Sequence, residues 1–89
     1  MLRLELETGA RRFMETLPAK QFRHVARKIF SLADDPLPND SAKVHGTPYR
    51  RVGIGEYRIV YTVTESGLRV VAIGKRNDDD VYRRLKRQV

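Results

Sequence analysis

The chain has no cysteine among its 89 residues, so it forms no disulfide, carries no thiol nucleophile and offers no sulfur ligand for zinc. It also has no tryptophan, and aromatic residues make up only 8%, so a core must be built mainly from aliphatic side chains. No stretch approaches the roughly 18 consecutive apolar residues of a membrane-spanning helix. The opening Leu2, Leu4 and Leu6 alternate with Arg3, Glu5 and Glu7 instead of running together as in a secretory leader, and the expected location is the cytoplasm. Acidic charge is scarce as well: eleven Asp and Glu face eighteen Lys and Arg, for a net charge of +7. A field of that sign gathers polyanions, with nucleic acid first among them. The competing explanation is a solubility charge or a surface that docks on an acidic protein.

What is present suffices for one folded domain spanning residues 1–89. Apolar residues account for 40% and charged residues for 33%, a balance that allows a modest core under a solvated surface. The period of two in Leu2, Leu4 and Leu6 predicts a strand over residues 2–7 with one buried face. Ala10, Phe13, Met14 and Leu17 follow a helical spacing that stops before Pro18, and Pro18 can open a second helix. In that second helix Phe22, Val25, Ala26, Ile29, Phe30 and Ala33 form the strongest helical pattern of the chain. Lys20, Arg23, Arg27 and Lys28 fall on the other side, as a solvated basic face or one that touches RNA or a partner.

Residues 36–48 hold three of the four prolines among Asn, Asp, Ser and Gly, and they read as a loop. Three strand-like stretches follow at about 49–54, 57–63 and 68–76, with turn residues at Gly53, Gly55 and Glu56 and again at Glu65, Ser66 and Gly67. Connections this short imply antiparallel pairing. Val70, Val71, Ala72 and Ile73 are apolar on both faces and suit a central strand. Asn77 can cap a last helix, and Asp78, Asp79 and Asp80 suit its first turn better than a metal site. The expected class is α+β: an antiparallel sheet of about four strands, an N-terminal helical hairpin on one face, and a short C-terminal helix.

The alternation of strand residues sets the chemistry. Tyr49, Arg51 and Gly53 share one face of their strand, and Arg58 lies opposite Tyr57, Ile59 and Tyr61 on the next. If the apolar sets face the helices, Arg51 and Arg58 share the free face, and Lys75 and Arg76 end the third strand nearby. Guanidinium groups grip phosphate oxygens in pairs and stabilise charge that develops on them. An isolated arginine on a strand is usually just an exposed cross-strand cation, and it is the clustering that points to phosphate. Of the two histidines, His24 reads as an ordinary helix residue and His45 as a loop residue nearer the strand pair.

The run Glu56-Tyr57-Arg58-Ile59-Val60-Tyr61, then Val71-Ala72-Ile73-Gly74-Lys75-Arg76, then Asp80-Val81-Tyr82-Arg83-Arg84-Leu85 resembles the RelE branch of the RelE/ParE toxins of type II toxin–antitoxin systems. The order and spacing of the three runs, behind a leucine-alternating strand and a helical hairpin, extend the resemblance over nearly the whole chain. The resemblance implies an endoribonuclease that cuts messenger RNA on the ribosome without metal or cofactor, with Arg58, Arg76, Tyr82 and Arg51 as its catalytic residues. Arg50, Lys75, Lys43, Arg83 and Arg84 are the expected RNA-binding residues around them. The implied partners are a cognate antitoxin, messenger RNA and the ribosome, with operator DNA for the toxin–antitoxin complex and no membrane. RelE-type nucleases commonly carry lysines on the strand before the Tyr-Arg pair, where this chain has Arg50 and Arg51. Arginine, with a pKa above about 12, is a poor proton acceptor, which leaves Tyr82 or Lys75 as alternatives for the base. A ParE-like poison of DNA gyrase and a non-catalytic nucleic-acid binder are the other functions compatible with the sequence.

Overall fold

The computed structural model describes residues 1–76, in the order β1 (Leu4–Leu6), α1 (Thr8–Glu15), α2 (Ala19–Asp34), β2 (Ala42–Lys43), β3 (Arg50–Ile54), β4 (Tyr57–Thr64) and β5 (Gly67–Lys75). The expected C-terminal helix lies outside the described residues. The strands form one sheet in the order β1-β5-β4-β3-β2. β3, β4 and β5 are the antiparallel meander anticipated from their short connections. Gly55 and Glu56 close the first hairpin between paired Ile54 and Tyr57. Gly55 has φ of +58° and no described non-glycine residue has a positive φ, the pattern of a type II′ turn, whose twist matches that of the flanking strands.

The sheet departs from the expected four antiparallel strands in two ways. β1 pairs with β5 in parallel, Leu4 opposite Leu68 and Leu6 opposite Val70. Both helices and the other three strands separate these partners in the chain, and parallel neighbours need such a long crossover. Gly67 permits the close approach: its φ is +141°, and a Cβ there would overlap the backbone carbonyl of Arg3. The fifth strand, β2, falls inside the stretch read as a loop, with Ala42 opposite Arg51 and Lys43 opposite Arg50. Two residues cannot display a period of two, so nothing in the pattern marks them as a strand.

α1 and α2 pack on one face of the sheet. Ala10 and Met14 from α1, Val25, Ile29 and Leu32 from α2, and Val52, Ile59, Tyr61, Leu68, Val70 and Ile73 from the strands form the main core. Burying a side chain of this size contributes about 1.5 to 3 kcal/mol. Tyr61 is fully buried, and its hydroxyl donates to the Pro36 carbonyl at 2.7 Å, which anchors the start of the loop after α2. The apolar stripe of α2 is turned from the expected one. Phe22 and Phe30 are exposed, while Val25, Ile29, Leu32 and Ala33 face inward. Phe30 lies five residues after Val25, about 140° around the helix, too far for both to reach the sheet.

The other face carries a smaller cluster of Val60, Val71 and Ala72, with Val44 and Tyr49 against it. The ladder explains why two consecutive residues join it. Val60 pairs with Ala72 and Tyr61 with Val70, leaving Val71 unpaired at a register shift. An extra residue of this kind lets neighbouring side chains share a face.

Candidate functional site

Period-two alternation decides which residues of the meander meet. Gly53, Arg58 and Gly74 lie in one cross-strand row, on the face away from the helices. Arg51, Val60 and Ala72 form the next row on that face. Glycine on both sides leaves open space beside Arg58, and Arg76 fills part of it. Its Cζ and Nε lie 3.5 and 3.6 Å from where a Cβ on Gly53 would stand. The turn between β3 and β4 holds Arg76 at both ends: its backbone N–H donates to the Glu56 carbonyl at 2.8 Å, and its Nη1 to the Gly55 carbonyl at 3.4 Å.

Two open hollows flank this pair of arginines. The larger, about 640 Å³, is lined by Gly55, Glu56, Arg58, Lys75 and Arg76. The smaller, about 150 Å³, is lined by Asp40, Ala42, Arg51, Val52, Gly53, Arg58 and Arg76. Small-molecule pockets run from about 300 to 1,000 Å³, so the smaller hollow is of a size for a single group, whereas the larger can take more of a ligand. Arg51, Arg58 and Arg76 make a cationic surface about the smaller hollow, and Lys75 borders the larger one from the helix-side row, where it pairs with Tyr57. Among the described residues, no carboxylate pairs with Arg51, Lys75 or Arg76. Such a surface can grip phosphate oxygens from more than one side and stabilise added negative charge on them.

The remaining sequence candidates are placed elsewhere. Arg50 sits in the helix-side row with Tyr61. Its Nη2 donates to Ser41 Oγ at 2.9 Å, while its Nε is buried with no partner among the described residues. Lys43 is its exposed cross-strand neighbour on β2, so neither residue joins Arg51 and Arg58. His24 and His45 are exposed and line neither hollow. Tyr82, Arg83 and Arg84 lie outside the described residues. No group of His, Asp or Glu suited to a metal ion occurs among the described residues, and no described helix is long and apolar enough to cross a membrane.

Two features of the site escaped the sequence reading. Gly53, expected on the strand 49–54 and at its turn, lies within β3, and what the alternation does not announce is that it seats Arg76. A glycine inside a strand is a known sign of close approach, so that signal was available. Asp40 had no such signal. It lies in the loop and accepts a hydrogen bond from Lys28 Nζ at 2.8 Å, a contact no local period announces. That hydrogen bond, more than the Lys28 charge, holds the Asp40 carboxyl below its ordinary pKa.

Comparison with known proteins bears on the whole described fold. The model of a family described as the ParE toxin of the type II toxin–antitoxin system parDE matches residues 6–80. No curated protein matches the sequence. Among solved structures, a mutant of the Escherichia coli toxin RelE in the free state superposes with a TM-score of 0.82 at 19% identity, covering 99% of this chain and 97% of that one. A chain of the archaeal RelE–RelB complex from Pyrococcus horikoshii OT3 superposes with a TM-score of 0.75 at 21% identity, covering 85% and 96%. A chain of the YoeB–YefM complex from Staphylococcus aureus gives 0.67 at 17% identity, covering 88% and 99%. These likenesses are of fold.

Proposed function

This chain belongs to the ParE toxin family of type II toxin–antitoxin systems, and within that family we propose that it is a toxin that cleaves messenger RNA at the free face of its sheet. The observation that carries this reading is the convergence of Arg51, Arg58 and Arg76 on one hollow, with Lys75 beside Arg58 and Arg76 in the next. In the proposed reaction the ribose 2′-oxygen attacks the adjacent phosphorus and gives its proton to a base. The bond from phosphorus to the 5′-oxygen breaks, and that oxygen takes a proton from an acid. A 2′,3′-cyclic phosphate and a 5′-hydroxyl result. Arg58 and Arg76 would hold the non-bridging oxygens as their charge grows, and Arg51 would neutralise the phosphate from the side of β3. Tyr82 is assigned the proton transfer, with Lys75 as the alternative.

Binding of a cognate antitoxin follows from the same premise, since the structural neighbours include RelE–RelB and YoeB–YefM complexes. With eighteen Lys and Arg against eleven Asp and Glu, the chain suits an acidic segment that folds on binding. The experiment that tests the function is timed production of the chain without a partner. Translation should fall before DNA replication, and primer extension should map discrete cuts in translated messages. A second reading, a poison of DNA gyrase, is favoured by the match to a ParE family model over residues 6–80. Replication arrest that precedes loss of translation would select it.

A further inference from the structure

Among the described residues, the free face of the sheet carries a single aromatic side chain. Phe13, Tyr57 and Tyr61 belong to the core under the helices, and Phe22 and Phe30 are exposed on α2. Tyr49 packs instead on the cluster of Val60, Val71 and Ala72, and it stays half-buried. It is also held firmly. Its carbonyl accepts from the Val44 N–H at 2.9 Å and its own N–H donates to Thr47 Oγ1 at 3.1 Å. The Thr47 hydroxyl in turn donates to the Val44 carbonyl at 2.8 Å. The turn before β3 is thus closed on itself, and binding at the ring has little backbone left to order.

Tyr49 and Arg51 point to the same face two residues apart, about 7 Å along an extended chain. Arg51 lines the smaller hollow with Arg58 and Arg76. A fixed aromatic side chain beside a cationic groove is the combination that holds single-stranded nucleic acid, with the cations on the phosphates and the ring stacked on a base. A duplex keeps its base faces covered, so only an unpaired strand can use both parts of the surface. We infer that Tyr49 stacks on an unpaired base of the nucleotide beside the phosphate held by Arg51, extending the site from a phosphate grip to a binding surface for single-stranded RNA. This inference rests on the RNA-cleaving reading above.

The test uses the full chain with 2′-O-methyl oligoadenylate and an equally long 2′-O-methyl backbone that carries no bases. Both lack the attacking hydroxyl and carry the same charge, so their difference reports the bases. The wild-type chain should bind oligoadenylate about 10-fold more tightly, within the range that stacking on one base gives. Tyr49→Phe should keep that ratio. Tyr49→Leu, which leaves an apolar cover on Val60 and Val71, should bring it close to one while affinity for the baseless backbone holds. Arg51→Ala should weaken both ligands and keep the ratio. In the wild-type chain, oligoadenylate should also move the Tyr49 ring protons upfield in NMR spectra and the baseless backbone should not, a readout independent of how any variant folds. A wild-type ratio near one, a ratio unchanged in Tyr49→Leu, or ring protons that stay in place overturns the inference alone. A wild-type chain that binds neither ligand overturns the RNA reading, and the inference falls with it.

Discussion

Two neighbouring rows of the same three strands have opposite chemistry. Val52, Ile59 and Ile73 lie side by side facing the helices, and all three are at most 1% exposed. One residue further along β3, and one back along β4, Gly53, Arg58 and Gly74 form the row on the other face, where Arg76 joins them. Because side chains alternate across a strand, a shift of one position separates a residue that stabilises the fold from one available for a ligand. The core and the cationic surface are thus two sides of one sheet, so losses of stability and of activity should be separable by substitution.

The sharpest contrast comes from substituting one residue on each face. Ile59→Ala removes fully buried methyl groups and should lower stability by about 2 to 5 kcal/mol, a large share of a small domain's margin of about 5 to 15 kcal/mol. Denaturant unfolding checks this. Arg76→Ala should leave the unfolding midpoint in place and reduce RNA cleavage by about 100- to 1000-fold, the loss typical for one charge-stabilising donor. If Arg76→Ala unfolds as easily as Ile59→Ala, the division between the two faces fails.

Gly53 offers a finer probe, since it belongs to the cationic face by position but contributes no charge. A Cβ there would meet Arg76 Cζ at an ordinary 3.5 Å, so Gly53→Ala should be tolerated. Valine places two more methyl groups against the guanidinium. Gly53→Val should cut activity by up to about 100-fold, as misplacement of a catalytic group by about 1 Å does, with little change in stability because β-branched residues suit strands. Parallel cleavage and thermal unfolding assays on both variants distinguish displacement of Arg76 from general damage.

The smallest effect belongs to the tie between the helix layer and the rim of the hollow. Asp40 has a lowered pKa in the folded state, so its contribution to stability is present above the ordinary carboxylate pKa and fades as pH falls through the folded value. Lys28→Met should raise the Asp40 pKa toward its ordinary value, visible in an NMR titration, and flatten that acid-side dependence. The unfolding midpoint at neutral pH should barely move.

Much of this was legible because it depends on periods that span several residues. The helical hairpin, the meander and the shared face of Arg51 and Arg58 follow from spacings of 3.6 and 2 read over stretches long enough to show them. What failed did so where the signal is short or not local. β2 has two residues, and the parallel pairing of Leu4 with Leu68 joins strands at opposite ends of the described chain. The stripe of α2 contained the right helix but admitted Phe30, because hydrophobicity does not say how wide a face the sheet can cover, and Phe22, which shares the buried face by angle but stands near the start of the helix.

Sequence alone determined that this protein is basic, lacks cysteine chemistry and carries arginines at positions whose alternation sets them apart from the core. These properties reside in composition and local backbone geometry. Only the tertiary structure decided that Arg76 lies over Gly53 and that Asp40 and Lys28 meet at the rim of the same hollow. Arg76 and Gly53 are brought together by two hairpins, and Lys28 and Asp40 by a loop that folds back on the helix. Such contacts arise from the packing of distant segments, where the identity of each residue leaves its neighbour unspecified until the chain has closed.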